Sequence, residues 1–199
     1  MKRCFAQVLC ILLMAVIIVG CAVVQRTGYL SDYEQLKNGD HLEKIWVSQE
    51  FRNKKQSIFI QKPDVQKIAY NRDASLASDY LYQSLLENLA EVGIECYRAK
   101  EKIPGGNYLV LETAITRWRK GNRALRVLIS GISGSSIVQV EGRIIDPQTN
   151  KILLAFADSR AGSGYAGLDL TGGNSRSMMQ DDMRGIARAL AATLATRQT

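Results

Sequence analysis

The first twenty-one residues are set apart from everything that follows. Met1-Lys2-Arg3 supplies positive charge, Phe5 to Val19 is apolar apart from Gln7, and Gly20-Cys21 comes at once after it. A basic start, a short apolar run and a small residue at its end describe a secretory leader, which takes no part in the fold. Extended to Val24, the same stretch is also just long enough to cross a bilayer as a retained anchor helix. The position of Gly20-Cys21, where the apolar run should stop, favours the leader.

The tetrad Ile18-Val19-Gly20-Cys21 resembles the bacterial lipobox. That resemblance implies cleavage between Gly20 and Cys21, a diacylglyceryl group on the Cys21 thiol and acylation of the new N-terminus. One buried acyl chain holds a protein only marginally, at about 0.8 kcal/mol per methylene, while two or more hold it firmly. Ala22 stands where Asp would favour inner-membrane retention in lipoproteins of enteric type, which implies the outer membrane, facing the periplasm. The expected organisation is a leader over 1–20, a lipidated tether and docking segment over 21–41, and a single periplasmic domain over 42–199.

Cysteine usage agrees with this plan. Of the 4 Cys, Cys4 and Cys10 leave with the leader and Cys21 takes the lipid, so Cys96 stands alone and no intramolecular disulfide can form. Cys96, in Gly93-Ile94-Glu95-Cys96-Tyr97, reads as a small packed hydrophobe. The chain carries 26 Lys+Arg against 19 Asp+Glu, and loses Lys2 and Arg3 on cleavage, leaving a modestly basic mature form suited to an anionic envelope. Its 199 residues make one sizeable core.

Hydrophobic patterning places the elements. Leu42–Val47 and Ser57–Gln61 read as a strand pair joined by the charged stretch Glu50–Lys55. Asp73 or Ser75 would cap a helix running to Val92, with Ala77, Leu81, Leu85, Leu89 and Val92 on one stripe and Gly93 as its left-handed stop. Strands are expected over Ile94–Arg98, Tyr108–Trp118, Leu125–Ile129, Ile137–Asp146 and Lys151–Asp158, the last two joined by the turn Asp146-Pro147-Gln148-Thr149-Asn150. A final helix should start near Ser177, where Ser177-Met178-Met179-Gln180 fits a capping box, and bury Met179, Met183, Ile186, Leu190 and Leu194. The sum is an α+β fold: a mostly antiparallel sheet with two main helices packed on one face.

Motifs for catalysis are weak. Gly162-Ser163-Gly164-Tyr165-Ala166-Gly167 has the letters of a dinucleotide fingerprint but does not lead directly into a helix. Gly131–Ser136 lacks the Gly-Lys-Ser/Thr of a P-loop. The only imidazole is His41, and no Gly-x-Ser-x-Gly elbow is present. Asp158, Asp169, Asp181 and Asp182 are available to a paired-carboxylate hydrolase, with no spacing that selects them. No catalytic residue, metal ligand or cofactor is assigned beyond the covalent lipid on Cys21. Arg117, Trp118, Arg119, Lys120, Arg123 and Arg126 form a candidate patch for an anionic partner, such as lipid head groups or an acidic protein surface, or else a solvated hairpin tip. Nucleic acid is not expected.

Thr27-Gly28-Tyr29-Leu30-Ser31-Asp32-Tyr33-Glu34-Gln35-Leu36 resembles the opening motif of bacterial lipoproteins in the domain of unknown function 3313 family. The block from Leu111 to Arg117, through Arg123-Ala124-Leu125-Arg126, to Ile145-Asp146-Pro147-Gln148-Thr149-Asn150-Lys151 is similar to that family and to a sister family, 4410. The resemblance implies a small envelope lipoprotein and brings no catalytic residues. The expected function is therefore non-enzymatic: a lipid-anchored protein that binds a partner or self-assembles at the outer membrane. The alternative is an envelope hydrolase or cell-wall-binding module using the Gly-rich 161–174 loop.

Overall fold

Alternating apolar residues in three long segments build the centre of the molecule. In the computed structural model, which describes residues 23–53, 57–65, 72–98, 108–119, 136–162 and 175–196, these are β5 (Tyr108–Arg119), β6 (Ser136–Asp146) and β7 (Lys151–Gly162). They pair antiparallel in sequence order. The β6–β7 turn is closed by the Gln148 N–H donating to Asp146 Oδ1 at 2.9 Å, with Asn150 in the left-handed region at φ 55°.

Four shorter strands complete the sheet: β1 (Lys37–Asn38), β2 (Lys44–Val47), β3 (Ser57–Ile60) and β4 (Cys96–Arg98), in the order β1-β2-β7-β6-β5-β3-β4. β3 runs parallel to both of its neighbours, β4 and β5. The two early strands do not pair with each other as their sequence proximity suggests. β2 joins β7 and β3 joins β5, on opposite sides of the sheet. The 3-10 turn Glu50–Asn53 between them seats Phe51 in the core, which redirects the chain rather than reversing it.

Two helices, α1 (Arg72–Glu91) and α2 (Ser175–Ala195), lie against one face. Ala77, Leu81, Leu85 and Leu89 of α1 meet Met179, Met183, Ile186, Leu190 and Leu194 of α2 over Ile58, Ile60, Leu109, Leu111, Val138, Val140, Leu154 and Phe156. This is the α+β arrangement that the patterning predicts. Gly93 closes α1 at φ 78°, with the Ile94 N–H reaching back to the Leu89 carbonyl at 3.0 Å. Val92 departs from its expected place: it is 40% exposed, because the chain has already left the helix there. Ser177 also departs, since α2 starts at Ser175 and the sequence Ser177–Gln180 lies inside it rather than at its cap. The expected strand over Leu125–Ile129 lies outside the described residues.

Gly142 is a point of close approach. It pairs with Phe156 across β6 and β7 on the helix face, and a Cβ there would sit 2.4 Å from Phe156 Cε1 and 2.9 Å from Thr113 Cγ2. Gly142→Ala is expected to cost about 1–3 kcal/mol through overpacking. That lowers the melting temperature by about 3–10 °C, and combining it with Phe156→Leu should recover part of the loss; calorimetry of the three variants checks this.

Candidate functional site

The face of the sheet opposite the two described helices is organised into transverse rows. In β6, Val138, Val140 and Ile144 point to the helices, so Gln139, Glu141, Arg143 and Ile145 point away. Residues on that side would ordinarily meet water, yet Gln139 and Glu141 are both 0% exposed. What covers them is the chain itself: residues 24–33 run back across this face as a strap.

The strap is fastened by side chains from β6. The Gln25 N–H donates to Gln139 Oε1 at 2.8 Å and the Gln25 carbonyl accepts from Gln139 Nε2 at 2.6 Å, so an amide side chain imitates a strand partner. The Val24 N–H donates to Glu43 at 2.9 Å. Glu141 is the buckle. Its carboxyl accepts from Thr27 Oγ1 at 2.6 Å, Thr116 Oγ1 at 2.8 Å, Gln139 Nε2 at 2.8 Å and the Tyr33 hydroxyl. The Tyr33 oxygen in turn accepts the N–H groups of Thr27 and Gly28 at 3.1 Å and of Leu30 at 3.4 Å. That convergence needs the strap to curl tightly, which Gly28 permits at φ 79°.

Rows follow on either side of the buckle. On one side Glu112, Arg143, Ala155 and Trp46 stand abreast on β5, β6, β7 and β2. Arg143 donates through Nε and Nη2 to Glu112 Oε2, both at 2.8 Å, and its guanidinium lies 5.8 Å from the Tyr29 ring centroid. Burial pushes the Tyr29 hydroxyl up to about 12 despite the adjacent Arg143 charge. Leu30, Ser31 and Asp32 of the strap, Gln35 just after it, and Trp46, Arg143, Ile152 and Ala155 of the sheet line a small open crevice. Past it, Tyr97, Phe59, Val110, Ile145 and Ile152 form a half-buried apolar row across five strands. Phe59 meets Tyr108 edge to face, 6.4 Å between centroids.

On the other side of the buckle lies part of the expected anionic-partner patch. A β-bulge at Thr116 shifts the register so that Arg117 pairs with Gln139 and Arg119 with Ile137. Both arginines therefore point to the strapped face, while Trp118 points to the helices and packs on the core. The structure thus separates Trp118 from the two arginines. Lys120, Arg123 and Arg126 lie outside the described residues, as do Gly20, Cys21 and the loop 163–174.

Three of the four acids considered for catalysis, Asp158, Asp181 and Asp182, are on the helix side. Asp158 is held by Arg160, whose Nε and Nη2 donate to its Oδ2 at 2.9 and 2.7 Å, and its Oδ1 accepts the Glu43 N–H at 3.3 Å. Asp181 is exposed, 3.8 Å from Arg184. Asp182 is pushed up to about 7 by burial, against the opposing pull of Arg160, and among the described residues its Oδ2 is buried with no partner. Asp169 lies outside the described residues. No group of His, Cys, Asp and Glu that would hold a metal ion is found among the described residues.

A family comparison decides where the chain belongs. Residues 26–167 match the model of a domain of unknown function, DUF4410, from the strap through β7. The chain belongs to the DUF4410 family. The likeness to family 3313 is not shown by that match, although the strap motif that suggested it lies within the matched span. No curated protein matches the chain. Solved structures similar to it include a PelC dodecamer from Paraburkholderia phytofirmans, 16% identical with TM-score 0.45 over 70% of this chain and 88% of that one. Protein XCC0632 from Xanthomonas campestris is 11% identical with TM-score 0.47, covering 71% and 85%. Lipoprotein GNA1162 from Neisseria meningitidis is 14% identical with TM-score 0.39, covering 57% and 85%. At this distance none of them bears on what the DUF4410 chain does.

Two outcomes are expected. Tyr33→Phe removes the hydroxyl that joins three N–H groups to Glu141, and should weaken strap closure by about 1–3 kcal/mol. Trypsin should then cut at Arg26 about 5- to 100-fold faster than in the wild type, with the remaining domain intact. The second concerns pH. Asp182 titrates near 3.8 when unfolded and near 7 when folded, so the folded state holds the proton more tightly. The stability this supplies is full below about pH 4 and lost as pH rises through 7. Asp182→Asn should flatten that decline between about pH 4 and 7, by about 1–2 kcal/mol after allowance for partial solvent screening; urea titrations at several pH values check it.

Proposed function

We propose that this DUF4410 protein is a lipid-anchored lipoprotein of the cell envelope, held in the outer membrane and facing the periplasm, that works by binding rather than catalysis. The observation that carries this is the tetrad Ile18-Val19-Gly20-Cys21 at the end of the apolar run, with Val24 and Gln25, three and four positions past Cys21, hydrogen-bonded to Glu43 and Gln139 of the domain. Among the described residues no helix is long and apolar enough to cross a membrane.

Binding is assigned to the strapped face. The crevice beside Trp46 and the apolar row Tyr97-Phe59-Val110-Ile145-Ile152 offer a partner, or a second copy of the chain, a continuous partly apolar surface on the side opposite the helices. The alternative is an envelope hydrolase or cell-wall-binding module using the Gly-rich 161–174 loop; what favours it is Asp182, which burial pushes up to about 7. Its neighbour Asp158 is occupied by Arg160.

Cys21→Ser tests the anchor. The variant should lose membrane fractionation after processing or accumulate with its leader uncut, while the wild type gives an N-terminal peptide carrying acyl mass. A bare Cys21 in mature protein from membranes would contradict the reading.

A further inference from the structure

The strap also fixes which way the domain faces once anchored. We propose that the end of the strapped face carrying Arg117, Arg119 and Val23 is a docking surface for anionic lipid head groups, so that the domain lies against the membrane on that rim. This rests on the anchoring proposed above.

The argument starts from chain length. Gln25 is bonded in both directions to the buried Gln139 side chain, and Val24 to Glu43. Three residue steps separate Val24 from Cys21, which spans at most about 11 Å even when fully extended. An acylated Cys21 therefore cannot let the domain drift away: Gln25, which Gln139 holds, stays within about 15 Å of the anchor. A long flexible linker would impose no such geometry. Here Val24 and Gln25, three and four positions past Cys21, are already bonded to the domain.

What stands at that end fits such a surface. Arg117 is the direct cross-strand partner of Gln139, and Arg119 lies one pair further toward the rim, opposite Ile137. Strict alternation from Leu109, Leu111 and Ile115 would have turned both arginines inward and Trp118 outward. The extra residue at Thr116 reverses this, and its hydroxyl is tied to Glu141 at 2.8 Å, which fixes the reversal. Arg117 is half-buried and Arg119 exposed, and among the described residues neither makes an ion pair. The nearby cations Arg26 and Arg160 are paired with Glu34 and Asp158. Glu43, the acid at this end, accepts the Val24 N–H. Val23, 56% exposed beside the anchor, presents an apolar side chain where an interface would take it.

A lipid surface is favoured over an acidic protein because the anchor already holds it next to the rim, raising its effective concentration far above that of any diffusing partner. Each basic side chain near an anionic leaflet contributes about fivefold to association. The opposite end, with the apolar row from Tyr97 to Ile152, would then face away from the membrane.

The test uses full-length protein purified from membranes and reconstituted in vesicles of phosphatidylcholine alone or with one part in three of phosphatidylglycerol. Arginines are modified with phenylglyoxal and quantified by peptide mass spectrometry, with exposed Arg188 on α2 as the internal control. Arg117 and Arg119 should react about fivefold or more slowly on anionic vesicles than on neutral ones, and high salt should abolish the difference, while Arg188 is unchanged. Equal rates on both vesicles overturn the proposal, as does protection by soluble polyglutamate without protection by anionic vesicles. Retention on neutral vesicles reports the anchor separately: a chain that is not retained contradicts the anchoring itself and the rim proposal with it.

Discussion

Glu141 sits wholly inside the protein on the side of the sheet opposite the two described helices. A carboxylate in such a place is tolerable only while donors surround it, because an unpartnered buried charge costs several kcal/mol. Two of its donors, Thr116 and Gln139, belong to the sheet, and two, Thr27 and Tyr33, belong to the strap. The strap is thus required by the sheet and the sheet by the strap. Lifting residues 24–33 would strip half the donors from Glu141 and expose Gln139, Trp46 and Tyr29 together. The segment that looks like a spacer between membrane and domain is a structural part of the domain.

The two faces of the sheet solve different problems. On the helix face the solution is packing, and its tightest point is Phe156 lying over Gly142, where any side chain would intrude. On the strapped face the solution is polar satisfaction at the centre, an arginine–carboxylate–tyrosine group beside it, and surface left open at both ends. The bulge at Thr116 links the two: it sends Trp118 into the core, turns Arg117 and Arg119 outward, and lends its own hydroxyl to Glu141.

Much of the helix face was legible in the sequence. Leu81, Leu85 and Leu89, and Met183, Ile186, Leu190 and Leu194, repeat at helical spacing, and period 3.6 carries its own direction. The strand segments were legible too, but their partners were not. Leu42–Val47 and Ser57–Gln61 look like a hairpin because sequence shows proximity along the chain, whereas the buried Phe51 sends them to different neighbours. Ser177–Gln180 has the letters of a capping box one half-turn inside the real helix, a boundary that pattern alone does not fix. The strapped face was the least visible. Gln139 and Glu141 alternate with valines just as solvated residues do, and nothing in their spacing says that Thr27 and Tyr33, over a hundred positions away, will cover them. The sign available was the dense Thr-Gly-Tyr-Leu-Ser-Asp-Tyr stretch so soon after Cys21, too aromatic for a plain linker. Likewise a basic run with a central Trp reads as one patch until a single extra residue puts the Trp on the other side.

The coupling between strap and sheet can be measured directly with a double-mutant cycle of Tyr33→Phe and Glu141→Gln, followed by equilibrium unfolding. If the strap is held by the buckle described here, the two changes should be strongly non-additive, with an interaction energy of about 1–3 kcal/mol. Additivity within a few tenths of a kcal/mol would mean that Tyr33 and Glu141 act independently, and that the strap is not what keeps this face of the sheet closed.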